Sequence, residues 1–590
     1  MSRFLLVGIN ARFIHSNLAI RTLKANTREY GKYVEAVEYT INNQREDILA
    51  GIYGKKPEVI GFSCYLWNID YVKAVACDIK KIMPGVRVIA GGPEVTYSPV
   101  RTLEENDYFD IIMTGEGEAT FYDYVKHAVT ADEPENVWLS DIAGIVYRDG
   151  RNIRQNGPRA VLDMDELVFP YTDEDMGQLE HRIVYYESMR GCPFSCSYCL
   201  SSIDKTVRMK SEKKTEEELD YFLRHRVPQV KFVDRTFNCK HDYAYHIWKY
   251  IGEHDNGVTN FHFEISGDLL REQDFGLLAG FRPGLVQFEI GVQSTNRDTL
   301  AAIRRTMNLQ KLKNNVARIR EQRNIHQHLD LIAGLPYEDY ESFRVSFNDV
   351  YAMRPDQLQL GFLKVLDGSY MYECKEDYEV CCSGRPPYEV LSTKWLAYDD
   401  VRRLKNIEEM VEIYYNTLQF QASMAYLEHF FETPFDMYME LAGYYNECGI
   451  AELNHSRIQR YRILADFVSD IVKPDGVDAL IFREIITYDF YRRDYVKNPP
   501  DFVLQTDEGC KMFIRRFFEA EADKPQYISG YEGYNARQLH NMLYMNRFTV
   551  DFKHLMENGE ARQGKPVYLL FDYGRRNPLD YSAEVINIHD

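Results

Sequence analysis

The sequence predicts an α/β chain: a doubly wound, Rossmann-like domain, then a partial (β/α)6 barrel, then a mainly helical domain. Three observations carry this. Continuous apolar runs of five to seven residues alternate with helical stretches over residues 1–150, the pattern of parallel strands covered on both faces, and a second strand–helix series follows. A charged, proline-bearing stretch separates the series. Past residue 370 the sequence turns into Tyr- and charge-rich helices. At 590 residues the chain also exceeds what a single core organises.

Residues 1–150 hold the first series. "RFLLVGI" (3–9) precedes the helical "NLAIRTLKANTREY" (17–30), and "EVIGFSC" (58–64) precedes "DYVKAVACDIKKIM" (70–83); "RVIAGGP" (87–93) and "DIIMTGEGEATFYDYVKHA" (110–128) follow. Ligands of such sheets bind outside the carboxyl ends of the strands. That edge carries "NARFIHSN" (10–17), "SCYLWN" (63–68), "GGPEVTYSP" (91–99) and "TGEGE" (114–118). Paired glycines admit a ligand close to backbone, and amides at a helix start favour an acidic or phosphate group. Four such turns on one edge predict a ligand bed.

Residues 151–180, with Pro158, Pro170 and many charges, read as a linker. The second series fills 181–370: "RIVYYESMRGC" (182–192), "VKFVDRTFN" (230–238), "FHFEISGD" (261–268), "VQFEIGVQS" (286–294), "HLDLIAGLP" (328–336) and "QLQLGFLKV" (357–365). Six strand–helix units suit a partial barrel, whose active site belongs at the strands' C-terminal ends. Residues 371–590, including the helical 406–445 and ending in the apolar strand "VYLLFDY" (567–573), read as a mainly α-helical accessory domain that covers the cavity.

Seventy basic against ninety acidic residues, a net charge of −20, disfavour loose attraction to nucleic acid or to an anionic membrane. The apolar start of "MSRFLLVGINARF" is too short for a signal-peptide core, and no run of about 18 apolar residues occurs, so a cytoplasmic protein without a membrane span is expected. Eleven scattered cysteines, an odd number, make no disulfide framework; in a reducing compartment a tight cluster points to metal binding or catalysis.

Such a cluster is "GCPFSCSYC" (191–199), where Cys192, Cys196 and Cys199 are spaced C-x3-C-x2-C just beyond the first strand of the second series. Structural zinc closes with four ligands, and finger-like Cys or His spacing is absent downstream. Three thiolates on a loop suit a [4Fe-4S] cluster with one iron left open.

This loop, with Tyr198 before its third cysteine, resembles that of the radical S-adenosylmethionine (SAM) superfamily. The resemblance implies an open iron that chelates the amino and carboxylate groups of SAM, and one-electron cleavage to a 5′-deoxyadenosyl radical. It further implies, by likeness to the oxygen-independent coproporphyrinogen dehydrogenase branch, SAM contacts at Glu264 and Ser266, at Gln293 and Asp330 for the ribose, and at Arg305 for the carboxylate. A planar guanidinium fork suits a carboxylate. Where that branch has Gly-Gly-Glu this chain has "VDRTFN", which leaves Asp234 as the counterpart for the SAM amino group.

A doubly wound domain ahead of such a barrel is similar to the cobalamin-binding radical SAM subfamily, over residues 1–370. The resemblance implies cobalamin, as methylcobalamin, bound by Asn10, His15, Ser16, Asn17, Ser63, Gly91, Gly92, Pro93, Glu94, Gly115, Glu116, Gly117 and Glu118. Many cobalamin proteins carry Asp-x-His-x-x-Gly after the first strand; here Phe13 and Leu18 stand at the Asp and Gly positions. A loop covering the lower corrin face without ligating is expected, with ligation by His15 left open.

The expected activity is radical methylation of an unactivated carbon of a small molecule in an anaerobic setting, with a flavodoxin- or ferredoxin-like electron donor. Non-methylating rearrangement or oxidation, a corrinoid sensor or carrier, and a methylthiotransferase remain alternatives. A plain nucleotide-binding domain is a further one, though "GINARF" lacks G-x-G-x-x-G. Cys374, Cys381, Cys382, Cys448 and Cys510 match no cluster spacing and read as buried or loop thiols.

Overall fold

The computed structural model describes residues 3–472 and 478–588. The first sheet has seven strands: β1 (Phe4–Asn10), β2 (Val34–Thr40), β3 (Val59–Ser63), β4 (Arg87–Gly91), β5 (Ile111–Met113), β6 (Ile145–Asp149) and β7 (Asn152–Gln155). Their order is β2-β1-β3-β4-β5-β6-β7, parallel from β2 to β5 and antiparallel beyond. Strand β1 is buried throughout because its side chains feed two cores: Leu5, Val7 and Ile9 enter one, Phe4 and Leu6 the other. The order in which strands are added reverses between β1 and β3, which opens the crevice where doubly wound sheets bind ligands.

Two expectations change here. Strand β2, "VEAVEYT", lies at the sheet edge, where two glutamates interrupt its apolar residues, so it presents no continuous apolar run. Strand β7 carries the first domain past residue 150, and the stretch to 180 is no free linker: it buries Met164, Leu167 and Tyr171 and forms a capped helix, Asp173–Gln178.

The barrel begins at β8 (Val184–Tyr186). A two-stranded ribbon, β9 (Met189–Arg190) with β10 (Arg208–Met209), brackets the cysteine loop. Then come β11 (Gln229–Phe232), β12 (Asn260–Ile265), β13 (Val286–Gln293), β14 (His326–Ala333) and β15 (Gln357–Phe362), all parallel in the order β15-β14-β13-β12-β11-β8. Alternate residues such as Phe261, Phe263, Val286 and Phe288 enter the largest core. Strand alternation puts His262, Glu264 and Glu289 on the opposite, inner face.

Both edges of this sheet are covered by neighbouring domains. At β8, Ile183 N–H donates to Ile14 O (2.7 Å), Ser16 Oγ donates to Ile183 O (3.0 Å), and His15 bridges Ile183 in parallel. At β15, the Asn416 amide accepts from Leu358 N–H and donates to Leu358 O, both at 2.9 Å.

The C-terminal region is not a separate body. Val401, Leu404, Ile407 and Met410 of the helix Tyr398–Val411 share one core with Leu358 and Leu360 of β15. After a short ribbon, β16 (Cys381–Cys382) with β17 (Val390–Ser392), helices dominate until a three-stranded antiparallel sheet: β18 (Leu543–Val550), β19 (Gln563–Arg576) and β20 (Ala583–Ile588). The expected single terminal strand is the middle of that sheet. All eleven cysteines are unpaired. Among the described residues no helix is long and apolar enough to cross a membrane.

Candidate functional site

The cysteine loop is held by its backbone. Gly191 has φ +87°, and a Cβ there would lie 2.3 Å from Thr206 O, so only glycine lets the two arms of the loop approach. Cys192 N–H donates to Asp204 O (2.9 Å), Ser202 Oγ donates to Cys196 O (2.9 Å) and Cys199 O (2.6 Å), and Ser197 N–H donates to Ile303 O (2.9 Å). Cys192 and Cys196 are buried and Cys199 half-buried. Burial pushes the Cys192 thiol up, and the Cys199 and Cys196 sulfurs add to it. Cys196 Sγ accepts from Arg305 Nη1 (3.6 Å), while Cys192 Sγ lies 3.8 Å from Thr236 Oγ1. No three Cys, His, Asp or Glu among the described residues are close enough to hold a single metal ion.

The end of β13 carries the next part. Its register against β14 shifts between Gly291 and Gln293, and Gln293 has φ +74°. Arg305 Nη2 donates to Gly291 O, and a Cβ at Gly291 would strike Gln293 Nε2 at 2.1 Å. Gln293 Oε1 and Arg305 Nε are buried without a partner, which leaves an acceptor and a donor for something else. Burial works against the Arg305 charge, but Tyr198 and Cys196 beside it hold its pKa above the usual. Tyr198 itself is pushed up by burial. Asp330 pairs across the ladder with Gly291, and its Oδ1 lies 3.0 Å from His328 Nε2. Ser266 Oγ donates to Asp268 (2.7 Å), so its hydroxyl hydrogen is already engaged.

Asp234 departs from its expected role. It is buried, with Oδ1 accepting from Ser188 N–H (2.9 Å) and Met189 N–H (3.0 Å) and Oδ2 from Ser188 Oγ (2.5 Å). The carboxylate holds the turn that leads to the cysteines and is not part of the cavity wall formed by its neighbours Val233 and Arg235. Burial raises its pKa to about 7 against those hydrogen bonds.

A cavity of about 790 Å3 joins the two domains. Asn10, His15, Ser16, Asn17, Ser63, Gly91, Gly92, Gly115, Glu116, Gly117 and Glu118 line it from the first sheet, and Gly191, Lys231, Arg235 and Glu264 from the barrel. Pro93 and Glu94 do not; Glu94 accepts instead from Tyr388 Oη (3.1 Å). The acids of "TGEGE" serve partly as a clasp: Glu118 pairs with Arg190, and Glu116 with Arg208 and with Leu162 N–H (3.1 Å). Glu118 Oε2 stays buried without a partner. His15 Nδ1 lies 2.7 Å from Tyr185 Oη, and burial followed by Arg12 lowers its pKa.

Sequence reasoning missed several wall residues. Tyr65 and Trp67 stack with ring centroids 4.5 Å apart and offer a flat apolar face. Lys231 lies on β11 and Arg235 in the turn that follows it, and both line the cavity. Arg235, 56% exposed, reaches Glu264 at 3.4 Å. Below them Glu289 accepts from Lys231 Nζ and His262 Nε2, each at 2.9 Å. Burial would raise the Glu289 pKa, yet His262 and Lys231 hold it well below the carboxylate range.

Three family models match this chain in succession: B12 binding domain over residues 5–125, radical SAM superfamily over 186–350, and a protein family of unknown function, DUF4080, over 376–571. The chain therefore carries a B12-binding domain and a radical SAM domain, followed by a DUF4080 C-terminal region. The cobalamin-dependent radical SAM methyltransferase TokK of Streptomyces tokunonensis is 28% identical over 314 residues, 49% of this chain and 44% of that protein. The chain thus matches less than half of that relative's length. The solved structure of the radical SAM methyltransferase TsrM from Kitasatospora setae, with cobalamin and a [4Fe-4S] cluster bound, matches with a TM-score of 0.54 at 15% identity over 66% of this chain and 79% of that one. The cobalamin-dependent SAM radical enzyme OxsB, with aqua-cobalamin and SAM bound, matches with a TM-score of 0.55 at 14% identity over 82% and 83%. At these identities the two structures establish a shared fold.

Proposed function

We propose that this chain is a cobalamin-dependent radical SAM enzyme that methylates an unactivated carbon of a small molecule. The observation that carries this reading is the shared cavity, bounded by the ligand edge of the first sheet on one side and by Gly191, Arg235 and Glu264 of the barrel mouth on the other. Ligands of the two domains would meet there without crossing bulk water, as radical chemistry requires.

The residues fit the groups. Cys192, Cys196 and Cys199 would hold the cluster, and the open valences of Gln293 Oε1 and Arg305 Nε suit the polar parts of SAM, with Glu264 and Asp330 beside them. Gly91, Gly92 and Gly115 bring bare backbone to the cavity wall, and the Tyr65–Trp67 stack offers an apolar surface to a corrin ring. The His15 ring, engaged by Tyr185, serves as a brace to the barrel in this reading. Bound here, the cluster supplies the electron that cleaves SAM and the cobalamin supplies the methyl group. The protein's own part is to orient both ligands, keep the site dry and accept electrons from a flavodoxin- or ferredoxin-like donor.

The test is anaerobic reconstitution with iron, sulfide and cobalamin, followed by reduction with SAM and product analysis. The reading expects 5′-deoxyadenosine together with S-adenosylhomocysteine. Absence of 5′-deoxyadenosine from protein with a full cluster would overturn it. 5′-Deoxyadenosine without S-adenosylhomocysteine would move it to a non-methylating radical reaction.

A further inference from the structure

We infer that Glu38 is the positioning residue of the cavity-facing loop, residues 10–17, and that through Arg182 it fixes this loop against the barrel. The inference rests on the cobalamin reading for its consequence, though not for its geometry. Glu38 lies on the edge strand β2, outside the cavity wall, with its side chain 9% exposed. Four donors from three parts of the chain converge on its carboxylate. Oε1 accepts from Arg21 Nε (2.7 Å); Oε2 accepts from Asn10 Nδ2 (2.9 Å), Asn17 N–H (3.2 Å) and Arg182 Nη1 (3.0 Å).

The carboxylate dictates how the wall is presented. An ionised carboxylate only accepts, so Asn10 must turn its NH2 toward Glu38. The same NH2 reaches His15 O (3.0 Å), and Asn10 Oδ1 is left to accept from Asn17 Nδ2 (3.0 Å). Asn17 Nδ2 also reaches Ser63 Oγ (3.3 Å), and Asn17 Oδ1 caps the helix Leu18–Asn26 by accepting from Ile20 N–H (3.2 Å). One buried charge therefore sets the orientation of two amides and a hydroxyl on the cavity wall. Arg182, held by Glu38, also lies 4.4 Å over the Phe13 ring, and its neighbour Ile183 carries the backbone pairing to Ile14 and Ser16. Arg21 and Arg182 are mostly buried, so without Glu38 each loses its shared partner and the loop must rearrange to hydrate them.

The full-length chain with its cluster is titrated with hydroxocobalamin by absorbance, and amide hydrogen exchange is measured over residues 10–17. Glu38→Gln keeps the shape and removes the charge; it is expected to weaken binding about tenfold or more, the range seen when a partner that orients a binding group is lost, and to speed exchange at residues 14–16. Arg182→Gln leaves Glu38 paired with Arg21, guards against a Glu38 variant that fails to fold, and is expected to give the same two effects at a few-fold. Unchanged affinity together with unchanged exchange in both variants would overturn the inference, as would an affinity loss matched by equal exchange gains throughout the first domain. A wild-type chain that binds no hydroxocobalamin would overturn the functional reading instead, while the exchange contrast at 14–16 still decides the role of Glu38.

Discussion

Replacing Gly92 with alanine tests whether the first domain's ligand edge is built around bare backbone. Gly92 has φ +114° and ψ 176°, a conformation that costs a side-chain-bearing residue about 1–3 kcal/mol. The added Cβ would lie 2.5 Å from Cys64 O, 3.1 Å from Cys64 N and 3.2 Å from Cys64 C. These are backbone atoms and cannot rotate away. They are also stitched to the same turn, with Cys64 N–H donating to Gly91 O at 2.7 Å and Glu94 N–H to Cys64 O at 3.4 Å. Relief requires β3 and β4 to part, and forced overpacking adds about 1–3 kcal/mol. The total destabilisation is about 2–6 kcal/mol, borne by the first domain. Native-state hydrogen exchange of the β3 and β4 amides reads that loss directly. Hydroxocobalamin affinity should fall at least tenfold, while iron content holds, because the cysteines belong to the other sheet. Exchange and affinity both at the wild-type level would refute the reasoning.

Three further outcomes are expected. Arg305→Lys loses the planar fork and the contact with Cys196, and should weaken SAM binding by about 1.5–3 kcal/mol in equilibrium dialysis of the reconstituted protein. Asp234→Asn leaves at least one of the Ser188 and Met189 donors poorly satisfied, and should lower bound iron per chain as the turn before the cysteines loosens. His326, held near pKa 4 by burial with His328 and His262 adding to it, is depressed below its usual 6.5, so its contribution to stability is full above pH 6.5 and is lost as pH falls toward 4. At pH 5 that loss is about 2 kcal/mol; His326→Gln should lack it when urea midpoints at pH 5 and 7.5 are compared.

Legibility followed locality. The cysteine triplet is readable because its members lie within eight residues, and the barrel strands because several, such as "VQFEI", alternate large apolar residues with polar ones over a short span. Strand β2 escaped because an edge strand with one buried residue carries no such run. Strand β18 escapes because Asn546 and Arg547 break the apolar residues of "LYMNRFTV" directly after a helix. Asp234 was misplaced for a different reason: its partners Ser188 and Met189 lie 46 and 45 residues upstream, and nothing local says which way a carboxylate after a strand will turn. The Glu118–Arg190 clasp spans 72 residues between two domains and is visible only once they are docked.

The covering of both barrel edges has a practical consequence. Parallel strands left open at their sides present unpaired amides and carbonyls that invite another chain. Here the 14–16 loop shields one flank and Asn416 the other. A fragment trimmed to residues 181–370 would expose both flanks at once, and is expected to self-associate into aggregates where the intact chain stays dispersed. Whatever the flanking regions bind, they also act as chaperones built into the same polypeptide.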